Sequence, residues 1–321
     1  MFSLLYFKNK DYYLIAFNQL ELKMKTRTTE IEWTEHTWNP FVGCSIKSAG
    51  CTNCYAMRQA HRIESFGTVP HYSGITRTVN GRNIWSGKIA RASDRAMFKP
   101  ISISGNALVF VNSMSDFFHE NAEDIWLQDA LSVMRRCPQH TFQILTKRPE
   151  NIGPFLSRTG ERFPDNVWLG VTVEHAATVH RIATLRAVSA AVRFISFEPM
   201  VGRVGDLDLD GIHWAITGGE SGPRARHCNP AWVREILEWC DLYEVPAFHK
   251  QWGNYASNPL VCEQGKSVEQ AKLADSHGKG GSLIDGELIK NWPHARTALP
   301  PVNDSQRATI RSTLPGSISI A

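Results

Sequence analysis

Thr141-Phe142-Gln143-Ile144-Leu145-Thr146-Lys147-Arg148-Pro149 is a short apolar run that breaks into polar and charged residues and stops at a proline. Its length and its β-branched and aromatic content predict a buried strand, with polar groups gathered at the carboxyl end. The same phrase recurs on both sides. Ala107-Leu108-Val109-Phe110-Val111 ends in Asn112-Ser113-Met114-Ser115-Asp116, and Val167-Trp168-Leu169-Gly170-Val171 ends in Thr172-Val173-Glu174-His175. Arg193-Phe194-Ile195-Ser196-Phe197 runs into Glu198-Pro199. Ile212-His213-Trp214-Ala215-Ile216 runs into Thr217-Gly218-Gly219-Glu220-Ser221-Gly222, and Ala247-Phe248-His249-Lys250-Gln251-Trp252-Gly253 closes the series.

Helical patterns separate the strands. Leu127, Leu131 and Met134 share a face behind Asn121, a candidate N-cap with Asp124 three residues on. Val179, Ile182 and Leu185 give a second stripe. Asn229 is placed to cap a third helix, with Pro230 at its first position and Val233, Ile236, Leu237 and Cys240 on one side. Strands alternating with helix-sized connections predict an α/β fold with a mostly parallel sheet, a partial or complete TIM-like barrel. A doubly wound open sheet has the same rhythm, but no G-x-G-x-x-G or P-loop marks a nucleotide-binding version of it. In α/β barrels the chemistry is collected at the carboxyl ends of the strands.

Upstream, an extended stretch from Ile31 leads into Gly43-Cys44-Ser45-Ile46-Lys47-Ser48-Ala49-Gly50-Cys51-Thr52-Asn53-Cys54-Tyr55. Three of the seven cysteines fall here, spaced C-x6-C-x2-C. Ala56 to Arg62 predicts a helix, so Cys54 should sit near its N-terminus, where the dipole lowers a thiol pKa. Cys44, Cys51 and Cys54 on one loop point to one metal centre, either tetrahedral zinc or a four-iron cluster. Both would lack a fourth protein ligand; for zinc, His36, His61 and His71 are candidates. Cys240 lies on a helical apolar stripe and Cys137 precedes Pro138, so both read as structural. Cys262 has no ligand partner in the sequence, and Cys228, beside His227 near a strand end, is a secondary candidate for a site role.

The totals set bounds. The chain has 321 residues, 42% hydrophobic and 21% charged, with a formal net charge of +4. That is ordinary for a globular protein, and no apolar run approaches the roughly 20 residues of a membrane-spanning helix. An odd, mostly unclustered cysteine set is unlike a secreted disulfide framework and predicts a reducing cytoplasm. Residues 1–28 read as a non-core N-terminal extension without a signal-peptide pattern, and 29–253 as the barrel. Residues 254–293 read as a small C-terminal extension with a hairpin turning on Asp285-Gly286, and 294–321 as a flexible tail. Residues 55–99 hold eight Lys and Arg against two carboxylates, with Tyr72 and Trp85 among them. Such a basic, aromatic segment suits either a solvated face with long cationic side chains or contact with nucleic acid.

A cysteine triplet after the first strand of a parallel barrel resembles the radical S-adenosylmethionine superfamily. More closely, Trp38-Asn39-Pro40 through Cys44, Cys51 and Cys54-Tyr55-Ala56, with Leu145 to Pro149, Ser196 to Pro199, Gly218 to Gly222 and Lys250 to Gly253, is similar to an uncharacterised phage and prophage family described as radical-SAM-like. The similarity runs from about Thr29 to Trp292. It implies a [4Fe-4S] cluster on Cys44, Cys51 and Cys54, S-adenosyl-L-methionine on the open iron, and reductive formation of a 5′-deoxyadenosyl radical. It also implies an electron donor such as a flavodoxin or ferredoxin. The first spacing is three residues longer than the superfamily's commonest pattern, and Asn53 stands where an aromatic residue is usual. Under this resemblance Ser113, Ser115 and Asp116 are expected to receive the ammonium or ribose, and Lys147 or Arg148 the carboxylate. Glu174 and Glu198 would accept from ribose hydroxyls, while Gly218, Gly219 and Glu220 would let substrate or adenine approach closely. The competing expectations are a structural ion-pair network at the barrel mouth, and a zinc-stabilised nucleic-acid-binding module without catalysis.

Overall fold

The computed structural model describes residues 27–293. The expected tail at 294–321 and nearly all of the expected extension at 1–28 lie outside the described residues. Seven strands form one parallel sheet in sequential order: β1 (His36–Trp38), β2 (Leu108–Val111), β3 (Thr141–Thr146), β4 (Val167–Thr172), β5 (Val192–Phe197), β6 (Trp214–Gly218) and β7 (Ala247–Gln251). Five helices carry connections: α1 (Tyr55–Ser65), α2 (Asp124–Arg136), α3 (Ile152–Thr159), α4 (His180–Arg186) and α5 (Pro230–Leu242). The sheet curls into a half-barrel, and β1 does not pair with β7.

The two-residue period of a strand decides what faces where. Val109, Val111, Phe142, Ile144, Leu169, Ile195 and Ala215 point outward into the main core under the helices. Phe110, Leu145, Trp168, Phe194, Trp214, Ile216 and Phe248 point inward and fill the barrel around Trp33. Gly170 is the small member of this inner layer: a Cβ there would lie 2.5 Å from the Phe194 ring. Continuing the inner parity past this layer brings Asn112, Lys147, Thr172, Ser196, Glu198 and Lys250 to the carboxyl ends.

Where strand pairing stops, side chains close the seam. Trp33 sits edge-on to Phe110, with ring centroids 4.7 Å apart, and Trp292 stacks on Trp214 at 5.1 Å. Lys290 Nζ reaches Glu32 at 2.6 Å and donates to the carbonyls of His249 and Lys250. The short antiparallel pair Leu283–Ile284 and Glu287–Leu288 turns on Asp285 and Gly286, both at positive φ, the hairpin expected from the Asp-Gly dipeptide. On the outer side His249 is wholly buried, its Nδ1 2.9 Å from Thr217 Oγ1. Burial, with Lys290 adding to it, pulls its pKa down to about 3.

Two local expectations fail. Asn121 does not cap α2; Glu123 precedes the helix, without a side-chain cap. Tyr72 and Trp85 are not a stacking surface on a basic segment, because both are buried with Met57, Ala60 and Ile75 in a small core beneath α1. That segment instead forms a two-stranded hairpin, Thr76–Val79 with Arg82–Trp85, turning on Asn80-Gly81.

Candidate metal and cofactor site

The residues after β1 form short pairings with their neighbours and then the cysteine loop. Gly43 N–H donates to the Met114 carbonyl at 3.0 Å, and Ser115 Oγ donates to the Gly43 carbonyl at 2.6 Å. Asn39 holds Ser113 and the Met114 amide. The loop is thus fastened to the end of β2 before its first cysteine. Cys51 ends a turn of 3-10 helix, and Cys54 directly precedes α1.

All three cysteines line one cavity of about 240 Å³ at the carboxyl ends of the strands. Ile31, Trp33 and Phe110 floor it. Ser113, Ser115, Asp116, Lys147, Arg148, Glu198, Gly219 and Glu220, expected from the sequence, also line it. Glu174 and Gly218 do not. Gly218 packs against Glu198, where a Cβ would come within 2.8 Å of its Cγ. Glu174 is fully buried behind the cysteine loop, bonded to Lys147, to Arg181 at 3.0 Å and to Ser48 at 2.5 Å. Burial alone would raise its carboxyl; Lys147, Ser48 and Arg181 hold it below the usual range. Gly50 lies against it so closely that a Cβ would sit 2.5 Å from Oε1. Glu174 therefore shapes the loop and is not available to a ribose.

Arg148 is committed in the same way. Only 1% exposed, it binds Asp116 at 3.1 Å, Glu120 at 2.5 Å, and both the carbonyl and the hydroxyl of Ser45. Asp116 also accepts from Thr146 Oγ1 and the Lys147 and Phe118 amides, so its lone pairs are spent within the protein. Glu220 is held by Arg226 at 2.5 Å and by Asn53 at 2.9 Å. The expected ion-pair network at the mouth exists, and it organises the cysteine loop from three sides.

The groups with bonding capacity left are others. Asn112, 2% exposed and at positive φ, has neither its amide oxygen nor its amide nitrogen partnered, and Ser196 Oγ is likewise buried without a partner. Both line the cavity. Lys250 pairs with Glu198 at 2.8 Å across the opposite wall. Trp33, in the floor, also has its indole N–H unpartnered. Buried polar atoms are nearly always hydrogen-bonded in folded proteins, so three unsatisfied side chains lining one cavity mark where a ligand's polar groups would go. The inner-face parity was the available signal: Asn112 and Ser196 each stand two residues beyond a core phenylalanine.

The thiols do not behave as a helix N-terminus alone would dictate. Burial pushes Cys44 up to about 12, with Asp116 adding to it and Arg148 opposing. Burial also raises Cys54, although the first amides of α1 pull the other way. The expected dipole effect is present and outweighed. Among the described residues no three Cys, His, Asp or Glu side chains already stand as a metal site. The donor chemistry nevertheless fits a three-thiolate centre. Three thiols and no histidine line the cavity, an all-sulfur donor set of the kind that iron–sulfur clusters take. His36, His61 and His71 do not line it. His36 bonds Thr28 and His61 bonds Thr76. Cys137, Cys228 and Cys240 are buried in the main core, which removes Cys228 from the site.

A family model described as "Protein of unknown function (DUF5131)" matches residues 28–293. The chain belongs to this family. The match takes in the whole half-barrel, the cysteine loop and the C-terminal hairpin. No curated protein and no solved structure matches the chain. No helix among the described residues is long and apolar enough to cross a membrane.

Proposed function

We propose that this protein is an iron–sulfur enzyme that cleaves S-adenosylmethionine reductively, acting on a nucleic acid or nucleotide-like substrate. The observation that carries the reading is the coincidence in one cavity of three thiols from one loop with three buried, unpartnered polar side chains, Trp33, Asn112 and Ser196. A scaffold zinc site would need no such cavity, and structural zinc closes its coordination with four protein ligands. Cys44, Cys51 and Cys54 would hold a [4Fe-4S] cluster, which, once reduced by an external one-electron donor such as a flavodoxin or ferredoxin, would supply the electron that splits the C–S bond of S-adenosylmethionine into methionine and a 5′-deoxyadenosyl radical.

The chain's own residues have separable tasks. Asn112 offers a donor and an acceptor together, a match for an amino-acid or base edge. Ser196 and Glu198 offer acceptors for hydroxyls, and Lys250 offers a cation for a carboxylate. Arg148, Glu174 and Glu220 hold the loop and keep the cations of the wall in place. Trp33 and Phe110 exclude water from the floor, which protects a radical from quenching.

The test is anaerobic reconstitution with iron and sulfide, followed by reduction in the presence of S-adenosylmethionine. About four irons per chain and release of 5′-deoxyadenosine are expected. Stoichiometric zinc with no cluster formed, or a cluster that never yields 5′-deoxyadenosine, would refute the proposal.

A further inference from the structure

Beside the mouth of the cavity runs a second groove, and no carboxylate lines it. Three arginines from separate stretches of the chain do: Arg58 on α1, Arg82 on the hairpin, and Arg224 on the loop after β6. All three are exposed, and none has an acidic partner among the described residues. This sets them apart from Arg91, Arg148, Arg181, Arg226 and Arg234, each of which is paired. Arg91, counted in the basic segment by sequence, is spent on Asp94 and Asp129 and does not belong to this surface. Gly222 lets the loop lie against Arg58, whose Nη2 would be 2.7 Å from a Cβ there. Asn83 turns its oxygen to Thr78 Oγ1 at 3.0 Å, leaving its amide N–H groups for a ligand. Like charges gathered around one concavity repel unless an anion enters it.

The groove and the cavity share Asn53 and Cys54 as a common wall. At the cavity's rim Tyr55 is 49% exposed, its hydroxyl tied to the Ser113 carbonyl at 3.2 Å. A fixed aromatic ring next to a cationic groove is the pairing that single-stranded nucleic acid binders use, stacking a base while arginines follow the backbone. A base still stacked in a duplex could not reach a floor sunk between strand ends.

We infer that this groove holds the phosphodiester backbone of a single-stranded nucleic acid, seating the phosphate beside the nucleotide that enters the cavity. What occupies the cavity rests on the proposed function; the phosphate contact needs neither iron nor S-adenosylmethionine. The chemistry recognised is phosphate, and the arms of the test separate a strand from a free nucleotide.

Fluorescence anisotropy of the full chain with a labelled 20-nucleotide DNA or RNA strand, across 50 to 200 mM salt, reads the contact. Each of Arg58→Gln, Arg82→Gln and Arg224→Gln should reduce the slope of log affinity against log salt by about 0.7, as for one phosphate contact on a single strand. The triple variant should bind at least tenfold more weakly, with an unchanged thermal midpoint. Arg162→Gln, an exposed cation ahead of β4 at the opposite end of the sheet, should change nothing. The duplex form of the same sequence should bind more weakly than the strand.

Wild-type binding by the triple variant, or an equal loss from Arg162→Gln, would overturn the inference. Competition by ATP or pyrophosphate as strong as by the unlabelled strand would also overturn it, reassigning the groove to free nucleotides. Iron content and 5′-deoxyadenosine release are read on the same samples. Strand binding that depends on the arginines, in protein that never cleaves S-adenosylmethionine, supports the groove and removes only the radical chemistry.

Discussion

Arg148→Met replaces the most deeply committed cation of the site by an unbranched apolar chain of similar reach. The loss can be worked from its partners. Asp116 stays buried and loses its guanidinium, 3.1 Å away, but keeps Thr146 Oγ1 at 2.6 Å and the Lys147 and Phe118 amides at 2.9 and 3.1 Å. Stranding one charge of a buried pair costs about 3–5 kcal/mol, and three surviving donors place this case at the lower end. Glu120 is half exposed, with water to replace what it loses, so it adds less than about 1 kcal/mol. The variant should therefore unfold about 3 kcal/mol more easily in denaturant, with a thermal midpoint lower by roughly 6 °C or more. Asp116→Asn in the same chain removes the stranded charge and should recover about 2 kcal/mol, a coupling that a double-mutant cycle measures directly. A second effect is local. Arg148, just past the end of β3, bonds Ser45 and comes within 3.9 Å of the Cys44 sulfur, so the single variant should hold less iron after reconstitution even where it remains folded. An Arg148→Met protein within 1 kcal/mol of the parent, or a cycle without coupling, would refute the account of the loop as held by this ion pair.

Gly50→Ala forces a methyl against Glu174, which Lys147, Arg181 and Ser48 prevent from yielding; a stability loss of about 1–3 kcal/mol and reduced iron incorporation are expected, checked by denaturant unfolding and metal analysis. Asn112→Gly keeps the positive φ and deletes an unsatisfied buried amide. Its thermal midpoint should hold or rise, while affinity for S-adenosylmethionine falls up to about tenfold, the worth of roughly 1.4 kcal/mol of hydrogen bonding. His249 stays neutral in the fold down to about pH 3, while an unfolded chain takes up its proton near pH 6.5. Acid therefore favours unfolding, and stability should fall by up to about 1.4 kcal/mol per pH unit below about pH 6.5. His249→Gln should flatten that portion of the profile in equilibrium unfolding between pH 7 and 4.

The half-barrel was legible because each strand is a short apolar run with a polar end, and that pattern needs no partner to be read. Phe142, Ile144 and Leu145 announce β3 whatever packs on them. The cysteine loop was legible for the same reason, its spacing being local. What the sequence concealed depends on distant neighbours. Glu174 and Arg148 look like ligand-binding groups until Lys147, Arg181, Asp116 and Glu120 close on them. Asn112 and Ser196 look like ordinary strand-end polar residues until the fold leaves them without partners. The hairpin at 76–85 carried its signal in Asn80-Gly81, but its flanks, Thr76-Arg77-Thr78-Val79 and Arg82-Asn83-Ile84-Trp85, lack the apolar alternation that would have made the turn convincing. Tyr72 and Trp85 were misread because burial is a property of the finished core.

The seam between β1 and β7 gives the molecule an asymmetry of stiffness. Around the rest of the wall, neighbouring strands are laced by backbone hydrogen bonds that resist separation in register. At the seam residues 289–291 pair with β7 through backbone hydrogen bonds, but the join to the β1 side is made by side chains, Trp33 against Trp214 and Lys290 with Glu32, and side-chain bridges can open singly. Swelling of the barrel to take a bulky guest would therefore begin there, and the strands bearing the cysteine loop and Lys250, one on each lip, would be the ones to move apart.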